Sequence, residues 1–516
     1  VLSRDILFHD IETYSEIDLR KVGASRYARH PSTEILMISY ALNDGRIETW
    51  DALSEIGPRT PTRTYKRRFR EAMPRSLREC LDDPEVDKSG WNAGQFERVV
   101  FQHAIDMRIP ADEFFDTMVL ALTCSFPGKL DLALKAAGFD EEDQKLKSGT
   151  SLINYWSKPR TPTKTRHETR NLPHHDPKKW KAYLEYNAQD VHTEREFKWE
   201  FGRYELSAEE RDLWLLDQRI NDRGLPINQD MVDNALRLIA VIQTGHTDRM
   251  KKLTGLDNPN SGDQLLPWLR DGGYPFTDLK KGHVARATED FEKHGIDPVT
   301  LEVLVLRQQV AKASVKKYAA LAAATDADGY LRYTLQFAAA GRTWRWGGRK
   351  YQPQNLARPH PAFEKIQEQI AEDIEFLGAG MFHKKYGSVE VKTPAGKKVK
   401  MDLAMDALST GVRPVVKAKE GMVFLDADLN AIENRVLGWI AHEDKILNVF
   451  LENKDPYIDF AVDLFRVDYE TLYKNYKAGD KAPRTTAKPG VLGCGYMLGP
   501  GAEYENEQTG EIEATG

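Results

Sequence analysis

The sequence predicts a multidomain protein of the α/β class, and three observations lead there. At 516 residues the chain exceeds what one hydrophobic core holds together, so two to four domains are expected. Short apolar runs that end in acids, Ile6-Leu7-Phe8 and Val423-Phe424-Leu425, have the length and composition of buried strands. Between them lie long stretches whose apolar residues recur every three or four positions, as in helices packed along one face.

With 41% hydrophobic and 29% charged residues, the composition is that of a soluble globular protein. There is no run of about 18 apolar residues that would span a membrane, and Val1 onward shows no basic-then-apolar leader. Cys80, Cys124 and Cys494 have no metal-type spacing and suit a reducing cytoplasm. The chain starts without Met and stops in polar sequence, which reads as a fragment. A net charge of −6 argues at first against a polyanionic partner, but the average hides clustering. Arg59 to Arg70 carries Arg59, Arg63, Lys66, Arg67, Arg68 and Arg70 with no acid between them, and Lys158 to Arg170 is also basic. Local patches decide contact with phosphates.

Taken in order, Asp5 to Glu12 (D-I-L-F-H-D-I-E) reads as a buried strand ending in acids. Side chains alternate along a strand, so Asp10 and Glu12 share a face. Two carboxylates side by side repel unless a cation lies between them, and hard oxygen ligands suit Mg²⁺ or Mn²⁺. Lys88 to Glu97 reads as a strand end, a turn and a helix start, with Asn92 and Glu97 near the helix's positive end. Asp116-Thr117 opens a segment running to Leu132, read as a helix and a loop. Tyr183 to Glu200 reads as a helix on which Tyr186 and Asp190, four apart, share a face. Taken singly, these pairs read equally as a capped helix and as a half-buried Tyr above a solvated Asp.

Pro58 to Thr64 (P-R-T-P-T-R-T) and Pro159 to Thr165 (P-R-T-P-T-K-T) share a phrase. Such sequences make extended, solvated loops, either flexible linkers or contacts to the phosphates of a single strand. His174-His175 beside Asp176 lacks further ligands for zinc. Ser207 caps a helix that Gly224 stops and Pro226 keeps from resuming. Helical patterns continue to about Thr325, with basic, hydroxyl-bearing stretches at Asn258–Ser261 and Lys312–Tyr318 that suit duplex phosphates. Arg342-Thr343-Trp344-Arg345-Trp346-Gly347-Gly348-Arg349 leads to Gln352-Pro353-Gln354-Asn355-Leu356. Planar guanidinium and amide groups there suit phosphates and minor-groove acceptors, through Arg342, Arg345, Gln354 and Asn355.

Val423 to Ala441 reads as a buried strand running into a helix with Ile432, Val436 and Ile440 on one face. Asn430 is the expected cap and Glu433 completes the capping-box spacing. Asp426 and Asp428 sit at the junction, where a carboxylate either caps the helix or meets a cation. Further on, Arg484, Lys488, Leu492 and Tyr496 fall four apart along one helix face. Two cations one turn apart call for an anion between them, such as a triphosphate. Pro489 places the helix start close to Lys488.

In combination these segments resemble a known family. D-x-E at Asp10–Glu12, N-A-x-x-F-E at Asn92–Glu97 and Y-x-x-x-D at Tyr186–Asp190 occur in the order of the motifs of the DEDD-type 3′–5′ proofreading exonucleases, tyrosine variant. The resemblance implies a ribonuclease H-like domain in which Asp10, Glu12 and Asp190 hold two metal ions and Tyr186 orients the attacking water. Asn92 would touch the strand. Glu97 stands where most members have Asp, one methylene farther out, and Tyr183 lies too far from Asp190 in sequence for the aromatic role.

D-L-N-A-I-E-N-R at Asp428–Arg435 resembles motif A of the A-family DNA polymerases, the DNA polymerase I family, in its phage branch. The resemblance implies that Asp428, with Asp426 as runner-up, binds two divalent ions and that Glu433 closes off the ribose 2′ position. Arg484 to Tyr496 resembles motif B, with Arg484 and Lys488 on dNTP phosphates, Leu492 over the nucleotide and Tyr496 near the template base. Arg342 to Asn355 is similar to the segment that grips primer and template. The implied domains are an exonuclease at 1–205, a helical thumb region at 206–335, a partial palm at 336–440 and incomplete fingers at 441–516.

The His-Asp-Glu of motif C occurs nowhere in the 516 residues, so the sequence predicts a chain that trims DNA ends but does not extend primers. The implied partners are primer–template DNA, single-stranded 3′ ends and dNTPs; the sequence identifies no processivity factor. Two other readings compete: a nuclease whose polymerase-like half only holds DNA, and a non-enzymatic DNA-binding protein.

Overall fold

The computed structural model describes residues 4–59, 63–140, 149–164, 166–340, 343–356, 358–392, 398–495, 502–505 and 512–515. It is a helix-rich mixed α/β chain in two compact units. The first comprises Val1–Gly245, Gln309–Val391 and Val399–Lys417; the second comprises His246–Gln308, Lys392–Lys398 and Ala418–Gly516. Among the described residues no helix is long and apolar enough to cross a membrane.

The first unit is built on a five-stranded sheet, β1 (Asp5–Tyr14), β2 (Glu34–Leu42), β3 (Glu48–Trp50), β4 (Val86–Gly90) and β5 (Phe114–Asp116), in the order β3-β2-β1-β4-β5. β1 lies at the centre, antiparallel to β2 and parallel to β4. Alternation sends Leu7, His9 and Ile11 to one layer and Phe8, Asp10, Glu12 and Tyr14 to the other.

The first layer holds α1 (Leu19–Arg29), α2 (Ala52–Ile56), α3 (Arg63–Ala72), α4 (Arg75–Asp82) and α5 (Glu97–Ala104). There His9 stacks on Phe101 at 5.7 Å, and Leu7 and Ile11 join the main core with Val99, Val100 and Phe101. α3 corrects the reading of Pro58–Thr64 as a wholly extended loop. Tyr65, Phe69 and Met73 recur every four residues and are buried, so the chain is helical from Arg63.

The second layer is organised by α9 (Pro177–Phe201), packed against the short helices α6 (Thr117–Thr123), α7 (Leu130–Ala137) and α8 (Gly149–Trp156); α10 (Ala208–Arg223) follows in the chain. Asp176 caps α9, its side chain accepting from Lys179 N at 3.0 Å, and Pro177 takes the first helical position, where its missing N–H costs nothing. Trp180, Tyr183 and Tyr186 pack on Tyr14, Leu36 and Trp156; Phe197, three turns on, packs on Leu120, Leu130 and Leu134. Ser207 caps α10 and Gly224, at φ 72°, ends it, as the sequence predicts. A second core in this unit gathers α11 (Gln229–Thr254) with Tyr318, Tyr351, Ile374 and Leu408. Lys312 pairs with Asp406, and Lys317 bonds the Tyr351 carbonyl, so both basic groups serve this core.

In the second unit the buried strand expected at Val423–Leu425 does not form. These residues are 78%, 56% and 94% exposed and carry no strand, because no partner strand among the described residues takes up their backbone groups. Nor is Asn430 the cap: the helix runs Ile432–Ile440 from Ala431 in the left-handed region, with no side-chain cap bond. The helix expected to start close to Lys488 runs Ala482–Gly495, so Pro489 lies inside it rather than in its first turn. The lost backbone bond there is offset by packing, since Ala487 is fully buried among Ile458, Ala461 and Leu472.

Candidate active site

Asp10 and Glu12 leave the central strand on the α9 side, and α9 brings Asp190 opposite them. One carboxylate oxygen from each of the three lies within 4.8 Å of the others. Asp190 is buried and the other two are half-buried. Three like charges at this separation are unfavourable without a counter-ion. The all-carboxylate donor set fits a hard divalent cation of the Mg²⁺ or Mn²⁺ type.

The face of α9 that carries Asp190 also locks the other two acids. Tyr183 donates to Glu12 Oε2 at 2.5 Å and is itself bonded to Ser157 Oγ at 2.7 Å. Asn187 Nδ2 donates to Asp10 Oδ2. The sequence reading missed Asn187 and set Tyr183 aside. The signal was their spacing, since 183, 187 and 190 fall on one helical face. Tyr186 is buried, stacked on Tyr183 at 6.0 Å, and its hydroxyl lies near Asp190. Burial first, then Asp190, Glu12 and Asp10, raises its phenol pKa far above the usual value, so it stays protonated. A Cβ at Gly149 would strike this ring, so only glycine fits there.

Replacing these partners loosens the acids without removing them. Tyr183→Phe and Asn187→Ala are each expected to weaken metal-dependent activity by about 10- to 100-fold. A rate titration against Mg²⁺ checks this by an upward shift of half-saturation.

Glu97 is not one of the clustered acids. It opens α5 and is 3% exposed, with Oε2 buried and lacking a hydrogen-bond partner. Burial, then Asp116, Glu194 and Glu12, holds its carboxyl well above the usual range and therefore protonated. The turn before it is tied to Asp116, which accepts from Asn92 N at 3.1 Å and Gly94 N at 3.3 Å. Asn92 sits at φ 71°, a left-handed position that Asn tolerates. Burial pushes Asp116 up to about 6 and Glu194 up to about 7.

Glu194 accepts from Ser89 and Thr117 and is fully buried. Its folded pKa lies above the ordinary 4.5, so its contribution is fully present below pH 4.5 and is lost as pH rises through about 7. The cost at higher pH is about 3 kcal/mol. Glu194→Gln is expected to raise the unfolding midpoint at about pH 8 relative to wild type, with little gain at about pH 5.

The remaining candidates lie elsewhere. Arg345 is on the exposed strand Arg345–Gly348, whose neighbour Trp346 donates Nε1 to Asp217 at 2.9 Å. Asp217 also accepts from Gln95 Nε2 at 3.3 Å, which ties this strand to the Asn92–Glu97 turn. Asn355 is exposed and bonds Gln352 at 3.3 Å. Arg342, Tyr496 and the side chain of Gln354 lie outside the described residues.

In the second unit Asp426 and Asp428 are exposed, as is Lys488. Glu433 and Leu492 are brought together, lining one groove of about 360 Å³ with Ile432, Val436 and Ile440. That apolar face is therefore only partly covered. Arg484 lies on the helix Ala482–Gly495 and has an acidic partner of its own. It pairs with Asp455 at 2.8 Å, with its guanidinium 4.6 Å from the centre of the Tyr457 ring.

No family model matches the chain. The DNA polymerase of Bacillus phage SP02 is 36% identical over 500 residues, covering 96% of this chain and 69% of the phage protein. The chain belongs to the A-family DNA polymerases. This polymerase chain is also similar to the polymerase domain of Pol1 from M. smegmatis, solved in complex with DNA primer–template and dNTP. That likeness has a TM-score of 0.48 and 15% identity, and covers 90% of this polymerase and 65% of the mycobacterial chain. The polymerase sequence thus spans about two thirds of the length of both proteins.

Proposed function

We propose that the first unit is a 3′–5′ proofreading exonuclease of ribonuclease H-like fold and that the chain also carries the nucleotide-adding palm and fingers of a DNA polymerase. The observation that carries the nuclease reading is the meeting of Asp10, Glu12 and Asp190 from β1 and α9. A central strand bearing two acids, faced by a helix bearing the third, supports the fold assignment.

Asp10, Glu12 and Asp190 would hold the metal ions, and Glu97 would join them on losing its proton. When bound, the two ions supply a water of lowered pKa and a counter-charge for the leaving 3′ oxygen. Tyr186, protonated and beside Asp190, would orient the attacking water by a hydrogen bond. Tyr183 and Asn187 keep Glu12 and Asp10 from swinging out. The water attacks the terminal phosphodiester, and a mononucleotide leaves.

For synthesis, Asp428 would hold metal, Glu433 would screen the 2′ position, and Lys488, Arg484 and Leu492 would meet the dNTP, with Arg345, Gln354 and Asn355 on the primer–template. The primer 3′ hydroxyl attacks the α-phosphate and pyrophosphate leaves. The exposed, unpaired Asp426–Asp428 segment favours a second reading, in which these 516 residues act only as a nuclease with a DNA-holding platform. A labelled primer–template incubated with Mg²⁺, with and without dNTPs, separates the two. Primers shorten without dNTPs and stay intact with a chelator under both readings; these 516 residues, without motif C, are not expected to lengthen them, and lengthening with dNTPs by a full-length version selects the first. Primers that stay intact with Mg²⁺ remove the nuclease.

A further inference from the structure

The basic run Arg59–Arg70 takes no part in the chemistry above. Burial of Tyr65 and Phe69 fixes the inner face of α3 and turns Lys66, Arg67 and Arg70 away from the core. There they meet Arg29 at the end of α1, Arg59, and Arg78 of α4 around one cavity of about 920 Å³. Among the described residues only two acids line it, Glu71 and Asp106. Glu71 is engaged by Arg67 at 3.2 Å, and Arg29 lies 3.5 Å from Asp326. Among the described residues, no carboxylate reaches Lys66, Arg70 or Arg78 at ion-pair distance. The positive field is felt by His103 on the rim: burial first, then Arg29, Arg332 and Lys66, lowers its pKa to about 4 and keeps it neutral. Gathering this many cations is unfavourable unless an anion is shared among them.

The cavity lies on the other side of the sheet from the acid cluster. Its His103 and Ile105 belong to the end of α5, the layer into which His9 points, whereas Asp10 and Glu12 point into the layer of α9. A strand bound here is therefore not the strand being cut.

The lining chemistry selects the ligand. Arginines dominate, and a guanidinium fork matches phosphate oxygens. Among the described residues no Phe, Tyr or Trp lines the cavity to stack a base, and Pro31 and Ile105 are its only apolar residues, too few to anchor a protein partner. We propose that this cavity is a second, sequence-independent docking site for the phosphate backbone of duplex DNA, separate from the strand held at the nuclease centre. The proposal rests on the DNA-acting reading above. It places duplex DNA on the nuclease unit while the other face of the sheet waits for a frayed 3′ end.

The test is the triple variant Lys66→Gln, Arg70→Gln, Arg78→Gln, whose side chains lie outside the packed core. Binding of a fluorescent blunt duplex is followed by anisotropy across a salt series, and Mg²⁺-dependent degradation of a short single strand is measured in parallel. The expected result is weaker duplex binding, by about tenfold or more at low salt, with the log–log salt slope shallower by about 2 to 3. Degradation of the short strand should be unchanged. Duplex affinity and slope equal to wild type overturn the proposal. So does an equal loss on the short strand, which would put these residues in the cutting cleft. If wild type cuts nothing but the variant still loses duplex affinity, the docking site stands and the nuclease reading falls.

Discussion

Asp10→Ala is expected to abolish Mg²⁺-dependent shortening of a 3′ single strand while leaving the fold intact. Asp10 is half-buried at the centre of the sheet, one of three carboxylates sharing a space too small for uncompensated charge. Alanine fits the strand and removes one ligand, so a bound ion loses both charge and geometry. Several kcal/mol of transition-state stabilisation go with it, a loss of about a thousandfold or more in rate. A gel of a labelled oligonucleotide reads this directly. Unaltered shortening by Asp10→Ala would remove the assignment.

The second large effect is on stability. Arg98→Ala is expected to destabilise the first unit by about 3 kcal/mol, at the lower end for breaking a buried ion pair because Asp222 keeps some solvent. Arg98 follows Glu97 on α5, and its side chain is 5% exposed. It grips Asp222 of α10 through two bonds of 2.8 and 3.0 Å, bonds the Gly94 carbonyl at 3.0 Å, and approaches Gln218 at 3.4 Å. Asp222 in turn accepts from Tyr333 at 2.6 Å. One guanidinium thus joins the turn before Glu97 to α10 and to the chain at Tyr333. Arg98→Lys should recover little, since an ammonium cannot span that fork. Urea unfolding followed by tryptophan fluorescence checks the size; a midpoint unchanged in Arg98→Ala would show the network to be dispensable.

The parts legible in the sequence were those decided locally. Strand alternation placed Asp10 and Glu12 together, four-residue spacing placed Tyr186 over Asp190, and Ser207 and Gly224 bounded their helix. The parts that were not legible depend on distant partners. Val423–Leu425 has the composition of a strand, but a strand exists only with a neighbour to bond. Arg484 pairs with Asp455, far back in the chain, which no spacing rule foresees. Asn187 looked like an ordinary helix residue until β1 was laid across α9 and put Asp10 beside it. In the run after Pro58 the prolines and threonines masked the repeat Tyr65, Phe69, Met73, which makes the helix and so aligns the basic face.

The claim that Asp10, Glu12 and Asp190 form a cation site is tested most directly by Mn²⁺ binding followed by paramagnetic resonance. The chain should carry Asp426→Ala and Asp428→Ala, so that these two exposed acids do not contribute. This background should bind Mn²⁺, and adding Asp10→Ala with Asp190→Ala should abolish that binding without changing the circular dichroism spectrum. Mn²⁺ held with equal affinity after those two changes would contradict the account.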